Sequence, residues 1–338
     1  MTASTLGERG IIELIWSIIG KQRLNRHNAD PHLNLVLPPP DDASAVRLKD
    51  GSFLVLKTDM FVRRTDAPRG MKHRQMGVKA LAMNISDLAA KGAAPRAFLF
   101  SLGVPKSYRA DKLEELIAGL DSASVDYSVP ILGGDVGESR DLIVAGFAVG
   151  CAKKLVKRSG AEPGDIVAVT GEFGDTAAAF KILLERMAAP AALKRAVCNS
   201  VYSPKARLAV GLAVADSSAA TSSMDSSDGL AFTLNGLAQS SNVGFIIESL
   251  PISAHAAKFA GIHGLDPCDL ALFGGEEYEI VYTIKKALWD EAQRAVKVVN
   301  GSLIKIGEVV PGDKVILKKG KQEIPISARG WEHLKQNK

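Results

Sequence analysis

Apolar residues along the chain fall into two kinds of period. Phe53-Leu54-Val55-Leu56, Leu142 to Val149, Ile166 to Val169, Val243 to Ile247 and Tyr278 to Ile284 are short apolar runs rich in β-branched and aromatic residues, and each reads as a strand. Between them, Leu113, Leu116, Ile117 and Leu120 recur at i, i+3, i+4 and i+7, the spacing of one apolar stripe on a helix. Gly174 to Arg186 and Pro204 to Asp216 are further helix candidates, the second with proline in its first turn. Strands and helices mix along the whole length, which predicts an α/β (α+β) fold in mixed layers. A polar stretch punctuated by glycine and proline, Cys151 to Asp165, breaks the pattern. It predicts a boundary between an N-terminal domain over residues 1–150 and a C-terminal α/β domain over 151–338.

Composition narrows the class. A chain of 338 residues that is 46% hydrophobic and 23% charged can bury a sizeable core. No window reaches 18 consecutive apolar residues, so no membrane-spanning helix is expected. Met1 to Gly10 carries Glu8 and Arg9 without an apolar signal core, and Cys151, Cys198 and Cys268 lack the paired spacing of a zinc ribbon or disulfide framework. A cytoplasmic protein is expected. The net charge of +5 is a local matter: Lys285 to Lys338 holds 12 Lys/Arg against 6 Asp/Glu, leaving the rest of the chain at about −1. Its densest part, Lys318-Lys319-Gly320-Lys321, has no interleaved aromatics and suits a hairpin turn, so neither a nucleic acid nor a membrane is an expected partner.

The acids change the picture, because of their neighbours. They recur beside glycine, proline or small residues: Pro40-Asp41-Asp42-Ala43, Lys57-Thr58-Asp59-Met60, Asn84 to Ala90 with Ser86-Asp87, Leu132-Gly133-Gly134-Asp135, Met224 to Gly229 with Asp225 and Asp228, and Gly274-Gly275-Glu276-Glu277-Tyr278-Glu279. Singly, each has an ordinary explanation. Asp41-Asp42 suits a turn, Ser86-Asp87 a helix cap or exposed turn, Asp225 and Asp228 caps for a helix after Gly229, and Gly133-Gly134 a sharp bend after a strand. Six such motifs in one chain suggest instead acids that are at least partly buried, and a buried carboxylate needs a compensating partner. Oxygen ligands without His or Cys favour Mg²⁺ over Zn²⁺, and Mg²⁺ on several carboxylates points to phosphate chemistry. The usual phosphate loop G-x-x-x-x-G-K-[ST] and the V-A-I-K, H-R-D and D-F-G set are absent, and the six histidines carry no nucleophile signature.

In order and combination these motifs resemble the thiamine-monophosphate kinase family of the aminoimidazole-ribonucleotide synthetase superfamily, over roughly Gly7 to His333. The resemblance also runs through Lys79 to Ala90, Arg158 to Asp165, Val169-Thr170-Gly171 with Gly174-Asp175, and Arg329-Gly330-Trp331-Glu332-His333. It implies a two-domain synthetase-superfamily fold, with N-terminal strands of two chains forming an intersubunit barrel in a homodimer. It implies transfer of the ATP γ-phosphoryl to thiamine monophosphate by direct in-line displacement. Position by position, Asp42, Thr58, Asp59, Asp87, Asp135, Asp225 and Asp228 match Mg²⁺ ligands. Gly134, Asp135, Arg158 and Ser227 match contacts to ATP, and Asp66, Glu276 and Trp331 match contacts to thiamine monophosphate. Asp87, Asp135 and Arg158 would carry the catalysis. Elementary chemistry agrees: glycine lets backbone approach a phosphate, arginine offers forked donors, and tryptophan can stack on a cationic heteroaromatic ring.

Five departures accompany the resemblance. Pro40 stands where the family has glycine, and Lys57 where it has a small hydroxyl residue, adding a cation near the phosphates. Asp66 replaces a frequent His, Ser226 an apolar residue and Glu277 an Asp. Rival readings are weaker. A carbamoyl-dehydrating hydrogenase-maturation enzyme would need a C-terminal Cys, whereas the sequence closes on Gln336-Asn337-Lys338. A selenophosphate synthetase would need a reactive Cys near the N-terminus, and the first here is Cys151. Aminoimidazole-ribonucleotide synthetase is the nearest enzymatic alternative. A non-catalytic nucleotide sensor would be expected to have lost the acids, and an RNA-binding role rests on the C-terminal charge alone.

Overall fold

Alternate burial along the early strands builds the first of two mixed sheets. The computed structural model describes residues 2–27, 36–37 and 41–334; Pro40 and Gln336-Asn337-Lys338 lie outside them. Strands β1 (Ser44–Arg47), β2 (Phe53–Val62), β3 (Ala94–Val104), β4 (Ile131–Glu138) and β5 (Ile143–Ala152) pair in the order β1-β2-β5-β3-β4. Along β5 every second residue from Val144 to Ala152 is buried, the signature of a strand with one covered face. The cover is helix α3 (His73–Ala90), whose Leu81, Ile85 and Leu88 join Val55, Phe61, Phe98 and Val144 in one core. Helices α1 (Ala3–His27) and α2 (Arg63–Asp66) precede α3 in the chain. Met60 and Phe147 are exposed on the sheet's uncovered face, and Leu132 and Val136 are exposed along β4, the free edge.

Helix α3 is nearly all buried because it is enclosed on several sides. Helix α4 (Ala110–Asp126) crosses it where Gly77 faces Gly119; a Cβ on Gly77 would stand 2.1 Å from the Leu116 carbonyl oxygen, and one on Gly119 1.9 Å from that of Arg74. Only glycine at both positions lets the two backbones meet. The four-leucine/isoleucine stripe of the sequence lies within α4, as its period predicts.

The second sheet comprises β6 (Ile166–Val169), β7 (Ala220–Asp225), β8 (Gly244–Ile247), β9 (Ile280–Ile284), β10 (Ile304–Val310), β11 (Val315–Lys319) and β12 (Gln322–Pro325), in the order β12-β11-β8-β10-β6-β9-β7. Helices α5 (Asp175–Leu183), α6 (Ala191–Tyr202), α7 (Leu208–Ser217), α8 (Leu230–Ser241), α9 (Ala254–His263), α10 (Pro267–Phe273) and α11 (Trp289–Val298) accompany it. Its central strands are covered on both faces. Ile166, Ala168, Ile280 and Tyr282 join a core with α7 and α11, while Val167, Val169 and Val281 join one with α8. That two-sided burial is why these strands read as continuous apolar runs. Ala89 and Ala90 of α3 enter the first of these cores, joining the two sheets through the end of that helix.

One local expectation is corrected, and two of the ordinary explanations set aside above fall away. The helix foreseen from Pro204 begins at Leu208, because the preceding chain is tied down: the Ala206 amide donates to the Tyr127 hydroxyl at 2.8 Å and the Arg207 guanidinium pairs with Glu279. Gly133 and Gly134 are not a bend but part of β4, with Gly133 at φ 151. Ser86-Asp87 is neither a cap nor an exposed turn; it is buried in the last turns of α3. The Lys318–Lys321 stretch is the β11–β12 hairpin, with Gly320 in the left-handed region at φ 61. Helix α1 exposes Ile12, Leu14, Ile15, Trp16, Ile18 and Ile19, and no helix among the described residues is long and apolar enough to cross a membrane.

Candidate active site

Where the two sheets meet, four elements deliver acids to one point. Asp42 enters just before β1, Asp59 projects from β2, Asp87 from the end of α3, and Asp225 closes β7. One carboxylate oxygen each from Asp42, Asp87 and Asp225 lies within 4.8 Å of the others, and all three residues are buried. The Ser86 hydroxyl donates to Asp225 at 2.7 Å. Three cations answer the charge. Lys57 Nζ lies 2.9 Å from Asp87 and 3.9 Å from Asp59. Lys91 Nζ lies 2.8 Å from both Asp41 and Asp42 and donates to the Ser223 carbonyl at 2.9 Å. The Arg158 guanidinium pairs with Asp42, and its backbone amide donates to Asp41 at 3.0 Å.

The titration behaviour follows from that arrangement. Burial pushes the Asp87 carboxyl well above the usual range; Lys57 opposes this, and Asp225, Asp42 and Asp59 add to it. Burial, then the charge of Asp42, pushes Asp225 up to about 6, with the Ser86 hydrogen bond opposing. Asp42 goes the other way: burial is outweighed by Lys91 and Arg158 together, so its carboxyl is lowered. Crowded, desolvated oxygens that repel one another are what a small hard cation relieves, and the donor set is oxygen only. These residues fit Mg²⁺.

A second group forms beside the first. The fully buried Lys79 of α3 donates to both Glu276 carboxylate oxygens at 2.6 Å and to the Asp66 carbonyl at 2.7 Å, so one lysine gathers two predicted substrate contacts. The Asp66 carboxylate itself is turned onto the Val62 amide at 2.6 Å. Glu276, at φ 63, donates its amide to the Ser227 carbonyl at 2.6 Å, and the Trp331 amide donates to the Asp228 carbonyl at 2.9 Å. Ser227, Asp228, Glu276 and Trp331 therefore share one surface, with Trp331 43% exposed. Burial, then Glu8 and Asp225, pushes Asp228 up to about 7, against Arg9 and His333. The buried Tyr278 donates its amide to the Ser226 carbonyl at 3.1 Å; burial, then Glu276, Asp59, Asp225 and Asp66, pushes its phenol well up.

Not every predicted residue joins these groups. In the cross-strand register Asp135 lines up with Ser101, Ala145 and Met60, the uncovered face of the first sheet, whereas Asp59 lines up with Gly146 on the face under α3. Three strand spacings of about 4.8 Å separate β4 from β2. Asp135 is thus exposed on the other side of the sheet from Asp87, and Thr58 shares that outer face, its hydroxyl donating to the Gly146 carbonyl at 2.8 Å. Gly134 lies on the exposed edge strand beside it, where a Cβ would stand 1.9 Å from the Phe100 carbonyl oxygen.

Sequence reasoning missed Lys79 and Lys91, although a lysine in a run of apolar and small residues is itself a signal of a buried pair. It also missed Glu279, which accepts from Thr170 at 2.6 Å and from Arg207 at 2.8 Å. Glu277 turns its carboxylate onto the Gly174 amide at 2.6 Å, before α5, and burial pushes it up to about 8 from an ordinary 4.5. Below about 4.5 both folded and unfolded forms are protonated; as pH rises toward 8 the unfolded chain ionises first, so folding stability falls across that window. Glu277→Gln keeps the acceptor and removes the charge. It is expected to raise the melting temperature relative to the parent near pH 9, by a gain of order 1–3 kcal/mol, and to lose that advantage as pH falls toward 4. Melting curves across pH check this; a difference independent of pH counts against it.

The fold is that of AIR-synthase-related proteins: residues 40–152 match the family described as AIR synthase related protein, N-terminal domain. The thiamine-monophosphate kinase of Pyrococcus abyssi is 36% identical over 296 residues, covering 87% of this chain and 90% of that protein. That of Aquifex aeolicus is 30% identical over 335 residues, covering 98% and 100%. A solved structure described as AaThiL complexed with AMPPCP and TMP superposes with a TM-score of 0.82 at 29% identity, over 98% of this chain and 99% of that one. The chain belongs to the thiamine-monophosphate kinase family.

Proposed function

We propose that the protein transfers the γ-phosphoryl of ATP directly to thiamine monophosphate, giving thiamine diphosphate and ADP. The observation that carries this reading is the adjacency of the buried Asp42/Asp87/Asp225 cluster to the Glu276/Trp331 surface, joined through the segment after Asp225 whose Ser226 and Ser227 carbonyls accept the Tyr278 and Glu276 amides, in a chain whose relatives bear that activity as their name. The two sheets then serve as two domains, 1–150 and 151–338. Asp42, Asp59, Asp87 and Asp225, with Asp228 nearby, hold Mg²⁺. When bound, Mg²⁺ neutralises phosphate oxygens so that two anions can approach. Arg158 keeps its buried Nε without a hydrogen-bond partner, a donor for a phosphate beside Asp42, and Ser227 offers a further contact to ATP. The acceptor phosphate is already an oxyanion at neutral pH, so the residues need only position and neutralise; no base or covalent carrier is called for. The test is ADP release: it should require thiamine monophosphate, fail with the aminoimidazole precursor, and give no burst without acceptor.

Trp331 and Glu276 hold the thiamine end, the indole stacking on the cationic ring system. Trp331→Ala is expected to raise the Michaelis constant for thiamine monophosphate roughly tenfold while changing that for ATP little. Steady-state kinetics with each substrate varied in turn decide it, and equal rises would remove Trp331 from the thiamine side.

The protein acts as a homodimer in this reading. The free edge of β4 and the apolar residues Met60 and Phe147 on the uncovered face give the first sheet an unsatisfied surface. A second copy packed there would place Thr58, Gly134 and Asp135 at the seam, where they reach the nucleotide and its Mg²⁺. Sedimentation at micromolar concentration should find a dimer; a monomer alone would contradict it.

A further inference from the structure

The acidic centre is divided in how its charge is met. On one side Asp41 and Asp42 face Lys91 and Arg158, two acids against two cations, all in contact. On the other, Lys57 is the cation beside Asp59 and Asp87, and Asp225 shares it with the Arg158 guanidinium, which is already paired with Asp42. Lys57 arises from an inward-facing position of β2, two residues before Asp59, and its side chain is 19% exposed where that of Lys91 is wholly buried. With all three carboxylates ionised, as they are when they ligate a metal, one ammonium leaves a formal −2, which one divalent cation neutralises.

We infer that Lys57 is a tethered counter-ion standing where a second divalent ion would otherwise bind, so that the nucleotide-free protein holds one tightly bound divalent ion on the Asp59/Asp87/Asp225 side. The inference rests on the proposed Mg²⁺-dependent site and adds the role of this lysine. Lysine suits it: a compact ammonium on a flexible stem lies against Asp87 and can swing to a phosphate oxygen of a nucleotide.

The test uses the full-length protein stripped of metal, without nucleotide or thiamine compound, titrated with Mg²⁺ by calorimetry and with Mn²⁺ by electron paramagnetic resonance. The parent should bind one tight divalent ion per chain. Lys57→Met should bind a second, or the first at least about tenfold more tightly, because a unit charge a few ångströms away has been removed; Lys57→Arg should behave as the parent. Metal-free Lys57→Met should also melt lower and gain more from added Mg²⁺. Two or more tight ions in the parent, or identical titrations for parent and Lys57→Met, would overturn the inference. Because no substrate is present, either result stands apart from the ADP-release test: a protein that binds one ion as stated yet ignores thiamine monophosphate would lose only the assigned substrate.

Discussion

Asp87→Asn should abolish most of the turnover, by at least about 10²–10³-fold, while leaving the protein folded. Asparagine keeps the shape of the side chain and removes one of the three oxygens' charges in the buried cluster. The effect on stability should have the opposite sign to the effect on rate. Burial together with Asp225, Asp42 and Asp59 makes an ionised Asp87 costly, and only Lys57 offsets that. Neutralising the position relieves the repulsion, so the metal-free variant should melt no lower than the parent. This is the pattern of a residue retained for its charge at some expense in stability. A steady-state turnover near that of the parent would sink the assignment, and a collapse of the fold would mean that the Lys57 pair is structural instead.

The parts of this arrangement that were legible in the sequence are those where one physical signal acts alone. The stripe at Leu113, Leu116, Ile117 and Leu120, anchored by the buried Leu116 and Leu120, reads directly as a helix although Ile117 stays exposed. Strand β6 was recovered with its bounds because an apolar run four residues long has few other uses. Helix α3 was recognised by its acid motif and not as a helix, since a segment enclosed by a sheet and two helices carries no stripe to read. Its buried lysines were hidden for a related reason: Lys79 and Lys91 are placed by partners 197 and about 50 residues away, and a lysine alone reads as surface. That Asp87 and Asp135 lie on opposite faces of one sheet was hidden for another reason. Both stand in acid-plus-small-residue motifs, but the face on which a strand residue points depends on the register with its neighbours, and that places Asp135 opposite Asp87.

Lys91→Met should destabilise the fold by about 3–5 kcal/mol, the cost of leaving a buried charge without its partner. The ammonium is wholly buried and binds three oxygens from two separate segments: Asp41 and Asp42 before β1, and the Ser223 carbonyl of β7. It therefore ties the entrance of the first sheet to the edge strand of the second through the residue after α3. Methionine fills the space but leaves two carboxylates and a carbonyl facing an apolar stem, with Arg158 alone to answer Asp42. The loss should depend on pH with a definite sign. In the parent, Lys91 and Arg158 hold the Asp42 carboxyl below its ordinary value, a contribution present above the unfolded pKa and lost as pH falls through the folded one. Without Lys91 that contribution shrinks at neutral pH, whereas in acid the carboxylates are protonated in both proteins. Urea unfolding of the two proteins should thus differ most near neutrality and converge as pH falls below about 4. A difference under about 1 kcal/mol at pH 7 would show that the lysine is only a passenger between the two sheets.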